Sequence, residues 1–131
     1  MGTFCTRLQD VNEAGVYCLN CPLDELHAAV MQAGFVLFDA DLASVHGKGE
    51  LLADVALAIS APDWFGHNFD ALADALGDLS WQPAPGYVLL LRNGDETLGL
   101  TTTDHDIATE IFADTVSFWK LQGKAFWVFF C

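Results

Sequence analysis

The stretch "YVLLLR", residues 87–92, is the most strand-like part of the chain. Two further apolar and aromatic runs, "FVLFDA" at 35–40 and "AFWVFF" at 125–130, also predict strands, and the shorter "GVYCLN" at 15–20 predicts a fourth. The run at 35–40 is apolar enough to be covered on both faces, which is typical of strands in a parallel sheet.

Between these strands, apolar residues recur at helical spacing. The segments are 22–34, 51–59, 69–77 and 107–119. Gly34 and Gly123 are the expected ends of the first and last helices. Because helices follow strands throughout, we expect an α/β fold with a mainly parallel sheet of about four strands, flanked by helices and wound by right-handed crossovers.

The composition indicates one folded domain over residues 1–131. Hydrophobic residues make up 53% of the 131 positions and aromatic residues 12%, which supports a packed core. The chain has 18 acidic and 5 basic residues, a net charge of -13. This charge argues against binding to nucleic acid or to an anionic membrane, and it favours either a basic partner or simple solubility.

The beginning of the chain has no basic stretch followed by an apolar run, and no apolar segment approaches the roughly 20 residues that span a bilayer. We therefore expect a cytoplasmic protein. In that compartment Cys5, Cys18, Cys21 and Cys131 should be reduced thiols. The C-x-x-C at 18–21 lacks a second pair or histidines at zinc-site spacing, so we expect no metal and no cofactor.

The segment "PDWFGHNFDALADALGDLSW", residues 62–81, contains the third helix and the loop before it. Asn68 is the predicted N-cap, because its side-chain oxygen can accept an early backbone N–H. Phe65 should anchor the loop in the core, and Gly77 should end the helix. The predicted buried stripe consists of Phe69, Leu72 and Leu76.

Three acids of this helix, Asp70, Asp74 and Asp78, follow one another at intervals of four residues, and we call them the acid ladder. Carboxylates at this spacing repel, at a cost of about 0.2–0.5 kcal/mol per pair. A helix under no other demand would more plausibly include lysines. The ladder therefore indicates a basic partner, with a solvated charged face as the simpler interpretation.

The stretch "WFGHNFDALADALGDLSW" resembles the signature of the barstar family, the intracellular inhibitors of barnase-type secreted ribonucleases. The family pattern is aromatic, aromatic, Gly, any residue, Asn, apolar, Asp, Ala, Leu, any residue, Asp, and it matches residues 64–74 in register. The resemblance covers about residues 35–131, which implies a barstar-like core. Residues 1–33 look like an added strand and helix, and we expect "GVYCLN" to pair with the edge of the sheet and protect it.

The resemblance implies a ribonuclease inhibitor: a bacterial immunity protein of a toxin–antitoxin pair, monomeric when free and without catalytic residues. In the family, the loop and the first half of this helix block the active-site groove of a basic ribonuclease, with acids in the place of RNA phosphates. Asp74 would occupy the catalytic phosphate site and Asp70 would pair with a basic residue at its rim. The other expected partner-binding residues, all from the loop, are Trp64, Gly66, His67 and Asn68.

Three positions depart from the family pattern. His67 replaces an acid, Ala73 replaces a tryptophan, and Phe118 stands where the type member has a further interface acid. Asp114, one turn before Phe118, is the candidate replacement for that acid. These changes put in question which ribonuclease is bound more than how it is bound.

Two other functions are compatible with the same residues. An acidic regulatory adaptor would use this face on a basic protein other than a nuclease. An enzyme could be built on His67 with Asp63 and Asp70, or on His105 with its neighbouring acids, but neither group has a third partner at an informative spacing. We therefore expect no enzymatic activity.

Overall fold

The computed structural model describes residues 8–19, 21–43, 45–63, 65–66, 68–93 and 100–131. Within these residues, four strands form one sheet in the order β1-β4-β3-β2, and every neighbouring pair is parallel. The strands are β1 Val16–Cys18, β2 Val36–Asp41, β3 Gly86–Arg92 and β4 Ala125–Phe130. The expectation of a parallel α/β fold is confirmed.

Four α-helices in the described part of the chain connect and flank the strands: α1 Leu23–Ala33, α2 Lys48–Ala58, α3 Phe69–Asp78 and α4 Thr102–Leu121. Gly34 ends α1 in the left-handed conformation, at φ 74°, as the sequence predicts. The prediction that Gly77 ends α3 is wrong. The helix continues to Asp78 and ends at Leu79, which has φ 51° and donates its N–H to the Ala75 carbonyl. The Leu79 side chain is almost fully buried, and its packing fixes this end of the helix.

The centre of the sheet is the core of the molecule. Side chains on both faces of β3 and β4 are buried, which explains why these strands read as uninterrupted apolar runs. Tyr87 on β3 packs against Phe126 on β4, with ring centroids 6.0 Å apart, and against Trp119 on α4 at 5.3 Å. The two central strands thus hold α4 against the sheet.

The strand and helix before residue 35 belong to this sheet and core. β1 pairs with β4 at one edge, with Val16 opposite Val128, which confirms the predicted edge pairing. Leu26 and Val30 of α1 are buried, and the indole N–H of Trp127 donates to the Leu8 carbonyl at 2.9 Å. Residues outside the 35–131 region therefore cover part of the sheet that would otherwise meet water.

The cysteines differ from expectation at one position. Cys18 and Cys131 are free thiols, whereas Cys21 is disulfide-bonded. Because Cys18 is free, the C-x-x-C is not a redox pair. Cys5 lies outside the described residues. The expectation of reduced thiols is wrong at Cys21, because an argument from compartment cannot show which sulfurs the fold brings together.

None of the helices in the described ranges has the length and apolarity needed to cross a membrane.

Candidate acidic interaction site

The loop before α3 is anchored by one aromatic residue. Phe65 is buried and its backbone N–H donates to the Pro62 carbonyl at 3.0 Å, as expected of a residue that fixes the loop to the core. Gly66 and Asn68 follow and are exposed. Trp64 and His67, the other two predicted binding residues of the loop, lie outside the described residues.

Asn68 forms the predicted N-cap of α3. Its Oδ1 accepts the Ala71 backbone N–H at 2.7 Å, and its Nδ2 donates to the Gly66 carbonyl at 3.3 Å. A Cβ at position 66 would lie 3.0 Å from that Nδ2, so a side chain there would crowd the bond. The Asn68 side chain therefore fixes both the start of the helix and the last turn of the loop.

The acid ladder lies on the solvent side of α3. Asp70, Asp74 and Asp78 are all exposed, while Leu72 and Leu76 are fully buried. Phe69, predicted to be buried, is half-buried, and Ala75 completes the buried face instead. Within the described part of the chain, no ladder carboxylate accepts a hydrogen bond or forms an ion pair. These three charges are left to solvent or to a partner.

The sequence does not predict that a lysine of α2 contacts α3. Lys48, the first residue of α2, lies with its Nζ 5.3 Å from the centroid of the Phe69 ring. Such contacts stabilise by about 0.5–1 kcal/mol at exposed sites. The two residues are far apart in sequence, and no local pattern joins them. Lys48 places a positive charge at the start of an otherwise acidic face.

The neighbouring helix α4 is tied to α3 and extends the site. The indole N–H of Trp119 donates to the Leu76 carbonyl at 2.8 Å in the buried layer between the helices. On the outer side, the two helices border a groove of about 350 Å³. Asp74 lines it from α3, and Asp114 and Phe118 line it from α4. The structure thus brings Asp114 to the same groove as Asp74, whereas Asp78 does not line it.

A second acidic region lies at the carboxyl end of the sheet, and sequence reasoning missed it. Asp39 accepts from the Arg92 Nε at 2.6 Å. Asp41 accepts from the Asn93 Nδ2 at 2.9 Å and from the Ala43 backbone N–H at 3.0 Å. The bond from Asn93, and then that from Ala43, hold the pKa of Asp41 below its ordinary value. We call Asp39 and Asp41 the sheet-end acids.

The described residues give no geometry that supports the catalytic alternative. His105 lies in the first turns of α4, and its Nδ1 is 3.9 Å from an Asp106 carboxylate oxygen, too far for a hydrogen bond. The other candidate, His67, is outside the described residues. Among the residues that are described, no three His, Cys, Asp or Glu side chains come together as a metal site would require.

The described residues form a parallel α/β sheet that carries a capped helix, and the exposed carboxylates of that helix have no partner among them. A family model described as Barstar (barnase inhibitor) matches residues 35–131, about three quarters of the chain. The chain belongs to this family of inhibitors. No curated protein sequence matches it significantly.

Proposed function

We propose that the chain inhibits a basic secreted ribonuclease by placing the loop before α3 and the first half of that helix in the RNA-binding groove. The ladder carboxylates of Asp70 and Asp74 stand in for RNA phosphates. Asp74 takes the catalytic phosphate site and Asp70 pairs with a cation at its rim. Gly66 and Asn68 contribute polar contacts from the loop, where Trp64 and His67 are also assigned to the interface.

The observation that carries this proposal is the absence of partners for the acid ladder in the described structure. A carboxylate that meets an arginine or lysine forms a charge-assisted hydrogen bond, which is roughly twice as strong as a neutral one. Among the described residues, Asp70 and Asp74 have no internal bond to break before they can bind. The cap at Asn68 and the Trp119–Leu76 bond hold their helix in place. Little order has to be gained on binding, so more of the interaction energy appears as affinity.

The charge of the whole chain acts in the same direction. A net charge of -13 attracts a basic enzyme over a distance, which raises the association rate and makes it fall with added salt. The inhibitor acts as a monomer in the cytoplasm of the bacterial cell that makes the ribonuclease, where it confers immunity before the toxin is exported. A neighbouring gene for a small, exported, basic protein would identify the partner.

Inhibition assays with a panel of basic secreted ribonucleases, including barnase, test the proposal. We expect at least one enzyme to lose RNA cleavage at a one-to-one ratio with the wild-type protein. The double variant Asp70→Asn/Asp74→Asn should fail to inhibit it. Capture of a basic non-nuclease protein, with every ribonuclease in the panel unaffected, would instead support the acidic adaptor and contradict the proposal.

A further inference from the structure

The outer face of α2 carries an apolar strip that ends in an exposed leucine. Leu57 is 81% exposed, and Ala53 lies one turn before it on the same face of the helix. Ala61 and Pro62 continue the strip into the loop toward α3, and all four residues border a hollow of about 440 Å³. An exposed apolar patch with polar residues at its rim is typical of a protein interaction surface.

Two carboxylates lie beside this strip, and neither is engaged within the described chain. Asp54 is three residues before Leu57 on α2, and Asp63 lies in the loop toward α3. Neither accepts a hydrogen bond or forms an ion pair among the described residues. Arg92 lines a second hollow together with Asp54 and Leu57, but its Nε is already bonded to Asp39. We call the strip and its two free acids the α2 surface: Ala53, Asp54, Leu57, Ala61, Pro62 and Asp63.

Hydrogen bonds hold the α2 surface in place against the rest of the fold. Ser60 adopts the left-handed conformation, at φ 55°, and the next N–H, that of Ala61, donates to the Ala56 carbonyl at 2.9 Å. The indole N–H of Trp81, just beyond α3, donates to the Ile59 carbonyl at 2.8 Å. The end of α2 is therefore fixed before any partner binds, so little order has to be gained on binding.

The α2 surface is continuous with the loop that the proposed function places in the RNA groove. Phe65 lines the same hollow as Leu57, and Gly66, which is assigned to the interface, follows Phe65 directly. A ribonuclease that holds this loop in its groove therefore lies close to the α2 surface. The unpaired acids favour a basic surface opposite them, and the exposed leucine favours an apolar side chain there.

We propose that the α2 surface binds a basic segment of the inhibited ribonuclease that lies outside its RNA groove. An apolar side chain of this segment packs on Leu57, and neighbouring lysine or arginine side chains pair with Asp54 and Asp63. The inference rests on the proposed function and adds a second contact region to it. This region would distinguish among basic ribonucleases, because their grooves all have to bind phosphates whereas the surface outside the groove has no such requirement.

Substitutions of Leu57 test the proposal by titration calorimetry against a ribonuclease that the wild-type protein inhibits in the panel that includes barnase. Leu57→Gln should weaken binding about 10-fold or more, because it removes a central apolar contact. Leu57→Lys should weaken it at least about threefold further, because it places a cation against a basic segment. Met31, on α1 and also 81% exposed, gives the matched controls. Met31→Gln and Met31→Lys should each change affinity less than about twofold.

The charge of the bound segment is tested at Asp54. Asp54→Asn should weaken binding about threefold or more at low ionic strength and less at high salt, as for an exposed ion pair. Asp78→Asn removes the same charge from outside the α2 surface and should change affinity less than about twofold. Since both variants change the net charge equally, the difference between them reports a local contact.

Two further measurements separate a lost contact from a damaged protein. Free Leu57→Gln should melt within about 2 °C of wild type, because the leucine is exposed and glutamine is a comparable helix former. In NMR spectra of the complex, the methyl groups of Leu57 should show nuclear Overhauser effects to protons of the ribonuclease, and the Met31 methyl group should show none.

Wild-type affinity in both Leu57 variants and in Asp54→Asn, together with a weakened Asp74→Asn, would overturn the α2 surface and leave the inhibitor function intact. Equal affinity of Leu57→Lys and Leu57→Gln would overturn the basic character of the bound segment. If free wild-type protein dimerises and Leu57→Lys is monomeric, a second copy covers the surface and the assignment to the ribonuclease is overturned. If no ribonuclease of the panel binds the wild-type protein, the proposed function and this inference are both overturned.

Discussion

Two acidic regions of this protein are built in opposite ways. The sheet-end acids are engaged within the chain, Asp39 by Arg92 and Asp41 by Asn93. The acid ladder on α3 has no such partner in the described structure, although its carboxylates repel one another. Acids of the first kind act in the free protein, so their removal should affect stability. Under the proposed function, acids of the second kind act on a partner, so their removal should affect binding.

Deleting residues 1–33 has the largest expected effect on the free energy of unfolding, because it damages the sheet on which both acidic regions depend. The deletion removes buried Leu26 and Val30 and exposes the edge of β4. Burial of each such side chain is worth about 1.5–3 kcal/mol, so the free energy of unfolding should fall by several kcal/mol, on the order of 5. Chemical denaturation and light scattering would measure the lower stability and the aggregation that an exposed edge strand promotes. A truncated protein that melts at the wild-type temperature and stays monomeric would show that the extension has another role.

Changing Asn68 to alanine tests how firmly the ladder is held. The substitution removes the 2.7 Å bond to the Ala71 N–H, and loss of such a cap costs about 0.5–2 kcal/mol. A drop of this size in urea denaturation would show that the cap holds the helix that carries the ladder. Asn68→Asp is the matched control, because aspartate also caps helices and should keep the stability. Equal stability of the alanine variant and wild type would contradict the role of the cap.

Changing Asp39 to asparagine should show the opposite pattern from a ladder acid. Asp39 and Arg92 are both partly exposed, and exposed ion pairs contribute about 0–1 kcal/mol. We expect a slightly lower melting temperature and no change in affinity for the inhibited ribonuclease. A clear loss of affinity would place the sheet-end acids in the interface and end the distinction between the two regions.

The smallest expected effect is on how the melting temperature falls at acidic pH. The folded-state pKa of Asp41 lies below its ordinary value of 3.8 because Asn93, and then Ala43, donate hydrogen bonds to the carboxylate. Its ionised form therefore stabilises the fold above about pH 4, and this contribution disappears as pH falls through the folded-state pKa. Thermal melts from pH 6 to pH 2.5 should fall slightly less steeply for Asp41→Asn than for wild type. The ladder variant Asp78→Asn serves as the control, and a steeper fall for Asp41→Asn would refute the assignment.

Much of the fold could be predicted because its signals are local. Uninterrupted apolar runs mark β3 and β4 as buried on both faces, and the N-cap at Asn68 can be read from a few consecutive residues. The match of residues 35–131 to the Barstar family confirms the resemblance seen in the same segment. The end of α3 was mispredicted because the packing of Leu79, a tertiary feature, decides it in place of Gly77.

Features that depend on distant residues could not be predicted. Asp39 and Arg92 are 53 positions apart and meet only because β2 and β3 are neighbours in the sheet. The contact of Lys48 with Phe69 and the groove shared by Asp74 and Asp114 likewise require two helices to pack together. The sequence suggested Asp114 as a replacement acid, and only the fold shows which acid it accompanies.

The most direct test of the central claim is titration calorimetry of Asp70→Ala, Asp74→Ala and Asp78→Ala against the inhibited ribonuclease, with thermal melts of the free proteins. Asp74→Ala should lose about 2–5 kcal/mol of binding free energy, a range that owes much to the barnase–barstar pair itself. Asp70→Ala should lose less, and Asp78→Ala less than about 0.5 kcal/mol. All three free proteins should be as stable as wild type or slightly more stable, since each loses a repulsive neighbour. Equal, small affinity losses would show the ladder to be only a solvated face, and a large loss of stability in free Asp74→Ala would show it to be structural.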